Sequence, residues 1–256
     1  MNARKQLIAL SIINHGNWDR ILSDLQTQTY IPDDHVEELC SRIHCGVLTI
    51  FDANYPQYLK NCFKPPFALF YYGDLSLIAD NSKNIAVVGS RHPSAIGLEN
   101  TDEFVKGLSK EFTIVSGMAA GIDRQAHLSA IKSGGKTIAV LGSGLDICYP
   151  SDNEDIYKDI KENHLLISEY PGNELPNSEN FPHRNRLIAI FSVATLVPEA
   201  KRRSGTSITV NYTIDFGHQL FCVPSSFLKD SLCNDLIHDG AILARSYDDI
   251  LYELGK

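Results

Sequence analysis

The chain has 256 residues, of which 43% are apolar, and its formal net charge is −8 at neutral pH. This length and apolar content provide a core for one large domain, or for one domain with a small companion. The acidic balance excludes an overall basic field that would attract nucleic acid or anionic lipid, so any polyanion site must be local. Residues 184–203 are such a local exception, because they carry five basic side chains and one acidic side chain.

The cysteine spacing and the apolar runs bear on the compartment of the protein. Six cysteines are scattered without CxxC pairs, which favours buried free thiols over disulfides or a zinc site. No apolar run reaches the ~18 residues of a membrane span. The N-terminus lacks the apolar core and the cleavage site of a signal peptide. We therefore expect a soluble, cytoplasmic protein that binds no membrane and no metal.

The first 80 residues predict a small helical domain followed by a connector. Between residues 7 and 43 the apolar side chains fall at helical intervals, with interruptions at residues 15–17 and 32–34. The segment 51–74 then contains Pro56, Pro65 and Pro66, and it includes an aromatic strand candidate at residues 67–72. We expect the boundary of this N-terminal domain near residue 80.

Residues 81–256 predict a second domain of the α/β class. Short β-branched runs alternate with helical stretches, and the runs lie at residues 85–88, 112–115, 137–141, 165–167, 194–197, 219–223 and 241–243. This alternation is typical of a parallel sheet with helical crossovers. Continuous apolar runs such as IAVVG and TIAVLG suit strands that helices cover on both faces. Residues 207–216 are β-branched enough to favour a strand, but the glycines that frame them predict a helix, which we adopt.

Loops rich in small residues follow four of the predicted strands. In an open α/β sheet, ligands bind beyond the carboxyl ends of the strands. Glycine lets backbone amides approach a ligand closely, and Ser or Thr adds a hydroxyl donor, so these loops suit phosphate groups. Ordinary turn glycines and, for Lys201–Arg203, a charged surface turn remain the alternatives. The loops are Gly89–Arg91, Ser116–Gly121, Gly142–Gly144 and Lys201–Thr206.

Arg184 and Arg186 stand immediately before an apolar run that predicts a helix. Cations in a first helical turn oppose the helix dipole, which suggests that they bind an external anion. A solvated helix start is the alternative. Phe181, close to both guanidiniums, either stacks a nucleic-acid base or packs on Leu187 as a hydrophobic staple.

Catalytic and cofactor motifs are absent from the sequence. It contains no HExxH, no GxSxG and no P-loop, and SGMAAGID does not fit the dinucleotide fingerprint. Glu169, Glu199 and Asp146 lie near predicted strand ends, but as three of 31 acidic residues they prove little. Asp123 is interpreted as a helix N-cap. We expect no catalytic residue and no cofactor, and we interpret His127, His164 and His218 as structural or surface residues.

A series of motifs follows in order along the chain. The motifs are GSR (89–91), SGMAAGID (116–123), LGSGLDICYP (141–150), SEYPG (168–172), FPHRNRLIA (181–189), VPEAKRRSGT (197–206) and the late VPSS and GAIL segments. Together they resemble the DprA/Smf family of DNA-processing proteins, and the similarity extends over about residues 49–256. The resemblance implies an extended Rossmann-like domain that binds single-stranded DNA, takes part in DNA uptake and recombination during natural transformation, and helps to load the RecA recombinase. It also suggests homodimers, and it implies no hydrolytic or redox activity.

Carried over by position, the resemblance gives a set of DNA-binding residues. The GSR loop would grip a phosphate, the FPxRNR signature would bind phosphates and a base, and the basic SG[ST] loop would bind the backbone. We expect the DNA-binding residues to be Gly89, Ser90, Arg91, Ser116, Gly117, Phe181, Arg184, Asn185, Arg186, Lys201, Arg202, Ser204, Gly205 and Thr206. The chain departs from the family pattern at Ser225 and Cys233, where glycine is usual, and in the 207–216 segment.

The alternative function comes from related Rossmann-like proteins that hydrolyse nucleoside monophosphates. Such a phosphoribohydrolase would recruit Glu199, Arg91 and the loop at residues 204–206. The PGGxGTxxE signature of those hydrolases is missing from this sequence, which favours the DNA-binding function.

Overall fold

The structure is a computed structural model that describes residues 2–225 and 230–256. Over these ranges the chain forms nine strands, namely β1 (Gly46–Thr49), β2 (Ala68–Gly73), β3 (Asn84–Val87), β4 (Thr113–Ser116), β5 (Thr137–Leu141), β6 (Leu165–Ser168), β7 (Ala194–Val197), β8 (Gln219–Cys222) and β9 (Ile242–Leu243). The VPSS motif ends at Ser226, which lies outside the described residues.

The same ranges contain eleven α-helices and three short 3₁₀ turns. The helices are α1 (Ala3–Ile13), α2 (Trp18–Gln26), α3 (Asp33–Ser41), α4 (Gln57–Lys60), α5 (Ala95–Leu108), α6 (Ile122–Lys132), α7 (Glu154–Asn163), α8 (Asn180–Ile190), α9 (Thr206–Asp215), α10 (Leu232–His238) and α11 (Tyr247–Glu253). The predicted helix over residues 207–216 is confirmed, because α9 spans most of it. Within the described residues, no helix is both long enough and apolar enough to cross a bilayer.

All nine strands belong to one sheet with the order β1-β2-β6-β5-β4-β3-β7-β8-β9. The seven strands from β3 to β9 pair in parallel, as predicted. Strand β2 pairs antiparallel with β6, and β1 pairs antiparallel with β2. Strand β2 is the aromatic strand predicted within the connector, and β1 lies just before that segment. The sheet therefore continues across the predicted boundary near residue 80. The division of the chain into domains at that position stays a prediction.

Helices cover both faces of the sheet, which confirms the predicted α/β architecture. On one face, α8 and α9 contribute Leu187, Ile188 and Val210 to a core that includes alternate side chains of β3, β4 and β5. On the other face, α5 and α6 bury Phe104 and Ala126, and α7 packs against β2, β5 and β6. Helices α1 and α3 bury a smaller cluster of their own.

Candidate functional site

An open cleft of about 1020 Å³ lies beyond the carboxyl ends of the central strands. Strand β3 has β4 on one side and β7 on the other. The chain leaves β3 towards β4 and later returns to the other side of β3 through β7, so the loops after β3 and β7 diverge. This divergence is the switch point at which open α/β sheets bind ligands.

Ten of the predicted site residues line this cleft. They come from the loop after β3, from α8, and from the loop between β7 and α9. The ten are Gly89, Ser90, Arg91, Phe181, Arg184, Asn185, Lys201, Ser204, Gly205 and Thr206. The topology therefore brings together three motifs that are far apart in the sequence. Ser116, Gly117, Arg186 and Arg202 are not part of the lining.

The loops after β3 and β4 touch at a glycine. Gly121 has φ of +78°, and a Cβ atom added there would lie 2.3 Å from the carbonyl oxygen of Ser90. Only glycine adopts this backbone conformation and this close approach without strain. The amide of Ile122 donates to the same Ser90 carbonyl over 3.0 Å. These contacts fix the position of the loop that carries Arg91, whose side chain is exposed at the cleft.

Helix α9 presents its N-terminus to the cleft. Its N-cap is Gly205, and no side chain caps the first turn. The Ser204 hydroxyl instead donates to the carbonyl oxygen of Lys201 over 2.8 Å. The amides of Ser207 and Ile208 donate to the carbonyl oxygens of Ser204 and Gly205 over 3.3 and 3.2 Å. The positive end of the helix dipole favours an anion at such a position. Thr206 and Thr209 add side-chain hydroxyls to the same stretch of lining.

Arg184 lies at the floor of the cleft and is 5% exposed. Its guanidinium donates to the carbonyl oxygens of Gly117, over 2.7 Å, and of Val140, and its Nε donates to Asn185 Oδ1 over 3.0 Å. Burial lowers the pKa of Arg184 to about 10, which the nearby carboxylate of Asp123 opposes. Arg184 is therefore anchored by backbone carbonyls beneath the cleft, and its direct contact with a phosphate stays a prediction.

Arg186 does not face the cleft, which corrects the expectation that it binds an external anion. It is fully buried, and its Nη1 and Nη2 donate to the two oxygens of Glu169 over 2.5 and 2.6 Å. Its Nε and Nη2 also donate to the carbonyl oxygen of Lys64. Helix α8 begins at Asn180, so Arg186 lies in the second turn rather than at the helix start. The anion that this guanidinium binds is an internal carboxylate.

Three further predicted residues are also held away from the cleft. Ser116 is fully buried, and its hydroxyl donates to the carbonyl oxygen of Val87 over 2.6 Å. Gly117 is buried, and its carbonyl oxygen accepts a hydrogen bond from the Arg184 guanidinium. Arg202 is exposed, but its Nε and Nη2 donate to the carboxylate of Asp235 over 2.6 and 2.8 Å. These three residues support the loops without lining the site.

Arg203 and Tyr149 are two of the lining residues that the sequence did not assign to the site. Arg203 is exposed and faces it, whereas its neighbour Arg202 turns to Asp235. The signal was present in the run Lys201–Arg203, but a turn does not reveal which of its side chains point to one side. Tyr149 also lines the cleft and is 51% exposed. Its only sequence signal was its place at the end of LGSGLDICYP.

The carboxylates near the site serve the fold. Glu199 accepts the amide and the hydroxyl of Ser94 over 3.0 and 2.5 Å, at the start of α5, and it is not part of the cleft lining. Asp123 is in the first turn of α6, whose N-cap is Gly121, so the predicted N-cap is wrong by two positions. The Asp123 carboxylate accepts the amides of Gly117 and Ala119 in the preceding loop. Burial raises the pKa of Asp123.

The cleft is electropositive although the chain is acidic. Its described lining contains four cationic side chains and one carboxylate, that of Asp123. Arg91, Lys201 and Arg203 are exposed there. Among residues 2–225 and 230–256, no three metal-binding side chains lie close enough together to hold a metal ion. The arrangement suits an anion with several phosphate groups.

Comparison with known proteins identifies relatives over most of the chain. A family model described as DNA recombination-mediator protein A matches residues 46–255. The DNA processing protein DprA of Streptococcus pneumoniae is 43% identical over 208 residues, which are 80% of this chain and 73% of that protein. Protein Smf of Synechocystis is 41% identical over 213 residues, which are 81% of this chain and about half (54%) of that protein.

Two solved structures share the fold. The X-ray structure of the Streptococcus pneumoniae DprA has a TM-score of 0.82 at 36% identity, covering 97% of this chain and 93% of that one. DNA processing protein A from Helicobacter pylori has a TM-score of 0.75 at 27% identity, covering 84% of this chain and 97% of that one. The second structure describes a single-stranded DNA binding mode of the Helicobacter pylori protein.

Proposed function

The chain belongs to the DprA/Smf family of DNA-processing proteins, and from this membership we propose that its cleft binds single-stranded DNA. The Helicobacter pylori relative, whose fold this chain shares, is described as a single-stranded DNA binding protein. The observation that carries the proposal is the grouping of exposed cations at the switch point of the sheet, in a chain whose net charge is −8.

The phosphate contacts come from two neighbouring loops that line the cleft. Arg91 follows β3, whereas Lys201 and Arg203 follow β7 and precede the N-terminus of α9. Contacts of this kind fix the DNA backbone and carry no sequence information. An aromatic side chain adds stacking energy that every base can use. The protein therefore binds single strands with little dependence on their sequence.

Titration of a fluorescently labelled oligo-dT by anisotropy tests this proposal. Three exposed cations that neutralise about three phosphates give a slope near −2 for log affinity against log salt, at ~0.7 per phosphate on single strands. We expect weaker binding to a duplex of equal length, because stacking needs unpaired bases. Absence of binding to oligo-dT, or equal affinity for the duplex, would overturn the proposal.

The second part of the proposal concerns the partners. We infer that the protein hands the bound strand to RecA during natural transformation, and that it acts as a homodimer. The description of the matching family as a recombination mediator supports the first statement. RecA filament formation on oligo-dT coated with single-strand binding protein tests it, and the expected result is faster assembly when this protein is present.

Light scattering coupled to gel filtration tests the homodimer by measuring the mass of the particle, for which we expect twice 28.4 kDa.

We further propose that the protein does not hydrolyse nucleotides. The phosphoribohydrolase alternative needs a carboxylate that activates water at the substrate, and the Glu199 carboxylate binds Ser94 at the start of α5 instead. Incubation with AMP is expected to release no adenine. Release of adenine that is lost in Glu199→Gln would establish the hydrolase instead.

A further inference from the structure

The cleft has one basic wall and one apolar wall. The loop between β7 and α9 supplies Lys201 and Arg203. The loops after β5 and β6 supply apolar lining, which includes Tyr149 and Leu175. The sheet order separates these walls, because β5 and β6 lie on one side of the β4–β3 centre and β7 lies on the other. Single-stranded DNA bound as proposed above therefore has its phosphates towards β7 and its bases towards β5 and β6.

Phe181 is not free to receive a base on both of its faces. Its ring stacks on that of Tyr149, with centroids 5.7 Å apart and planes inclined by 29°. The guanidinium carbons of Arg91 and Arg184 lie 6.0 and 5.9 Å from its centroid. A Cβ atom on Gly142 would lie 2.6 Å from Phe181 Cδ1, so the ring is also packed against the backbone after β5.

Tyr149 is the ring that remains open. One of its faces is covered by Phe181, yet the residue is 51% exposed and lines the cleft. An aromatic ring that is supported from behind and open in front is a stacking platform, because its orientation is fixed before a base arrives. Leu175, 67% exposed, adds apolar surface to the same wall.

We propose that Tyr149 is the base-stacking residue of the cleft and that Phe181 is the support behind it. The proposal rests on the single-stranded DNA binding proposed above, and it adds a residue and a direction to it. Bases stack on the wall formed by the loop after β5, and Phe181 acts through the position of the Tyr149 ring. The contact uses the face of the ring, so the hydroxyl of Tyr149 is not needed.

Oligo-dT that carries one 2-aminopurine tests the proposal, because stacking on an aromatic ring quenches the fluorescence of this base. We compare the unsubstituted chain with Tyr149→Phe, Tyr149→Leu and the control Tyr252→Leu. The control alters a tyrosine that is 82% exposed on α11 and outside the cleft lining. We expect Tyr149→Phe and Tyr252→Leu to retain quenching and affinity. Tyr149→Leu should lose the quenching and about tenfold in affinity, which corresponds to ~1.4 kcal/mol. Its salt slope should be unchanged, because no phosphate contact is removed.

The outcomes separate this proposal from the one on which it rests. If Tyr149→Leu quenches and binds like the unsubstituted chain while Phe181→Leu does not, Phe181 is the stacking residue and the proposal is overturned. Equal loss in Tyr149→Leu and Tyr252→Leu also overturns it, because the effect is then not local to the cleft. If the unsubstituted chain fails to bind oligo-dT, the proposed function itself fails. Thermal unfolding of each variant shows that the compared proteins are folded.

Discussion

Two segments of this molecule with clustered basic residues have opposite environments. In the first, Arg186 on α8 is fully buried and forms a bidentate ion pair with Glu169. In the second, Lys201 and Arg203 in the loop before α9 are exposed at the cleft. The first region stabilises the fold with its cation, whereas the second leaves its cations available to a ligand.

The difference shows that a basic motif does not by itself indicate an external anion. A buried cation needs a partner because desolvation is costly, and a distant residue of the same chain can provide it. Glu169 follows β6 and is 17 residues from Arg186. Arg202 and Arg203 repeat the contrast at adjacent positions, since Asp235 pairs with the first and the second lines the cleft.

The largest expected effect comes from breaking the buried ion pair between Arg186 and Glu169. Glu169→Gln keeps the shape of the side chain but leaves the buried guanidinium of Arg186 without a counter-charge, which costs about 3–5 kcal/mol. The free energy of unfolding in urea measures this loss. Asp235→Asn is the matched control at the exposed pair with Arg202, and we expect a far smaller loss because solvent screens that pair. Equal losses in both variants would contradict the distinction between the regions.

A second buried ionisable group extends the comparison to pH. His127 is fully buried, its Nδ1 is 2.7 Å from Thr137 Oγ1, and burial lowers its pKa to about 3. The unfolded chain takes up this proton near pH 6.5 and the folded chain does not, so stability falls as the pH drops from 6.5 towards 3. The loss is up to roughly 3 kcal/mol by pH 4. Urea unfolding at several pH values should show a shallower acid loss for His127→Gln, and the same loss as the unsubstituted chain for the exposed control His35→Gln.

Substitutions at three neighbouring basic residues test the exposed loop before α9. Lys201→Ala combined with Arg203→Ala should lower the affinity for oligo-dT about tenfold and flatten the salt slope by ~1.4, because two phosphate contacts are removed. Arg202→Ala, at the arginine that pairs with Asp235, should change neither quantity. Anisotropy titrations at two or more salt concentrations measure both. An Arg202→Ala variant that behaves like the double variant would contradict the proposed geometry.

The smallest expected effect concerns Ser94, whose hydroxyl donates to the Glu199 carboxylate near the cleft. Ser94 caps α5, since its hydroxyl accepts the amide of Gly97 and donates to Glu199. Ser94→Ala should cost ~1 kcal/mol of stability, the usual price of an N-cap, and Ser94→Thr should restore most of it. The affinity for oligo-dT should stay unchanged in both variants. Lost affinity would mean that Glu199 acts on the ligand as well as on the helix.

Local patterns predicted most of the parallel sheet. Thr137–Leu141 and Ala194–Val197 have the predicted bounds, because continuous apolar runs bounded by glycine and polar residues define buried strands well. Strand β1, Gly46–Thr49, was missed. It is four residues long, and what makes it a strand is antiparallel pairing with β2 about 20 residues later, which no local pattern encodes.

The site was predictable as a set of loops and less so as individual side chains. The rule for the carboxyl ends of parallel strands brought Arg91, Phe181 and Thr206 to one cleft, as the structure has them. The burial of Arg186 could not be predicted, because Glu169 and the Lys64 carbonyl come from other elements. The exposure of Tyr149 likewise depends on the path of a loop rather than on its composition.

The pairing of β2 with β6 has a consequence for any shortened form of the chain. A fragment that began at residue 81 would strip β6 of its antiparallel neighbour. The backbone N–H and C=O groups on that side of β6 would then be unpaired, next to the apolar side chains of Leu165, Leu166 and Ile167, which are all buried in the intact chain. Exposed strand edges pair with strands of further copies, so we expect such a fragment to associate through β6, an edge that β2 covers in the intact chain.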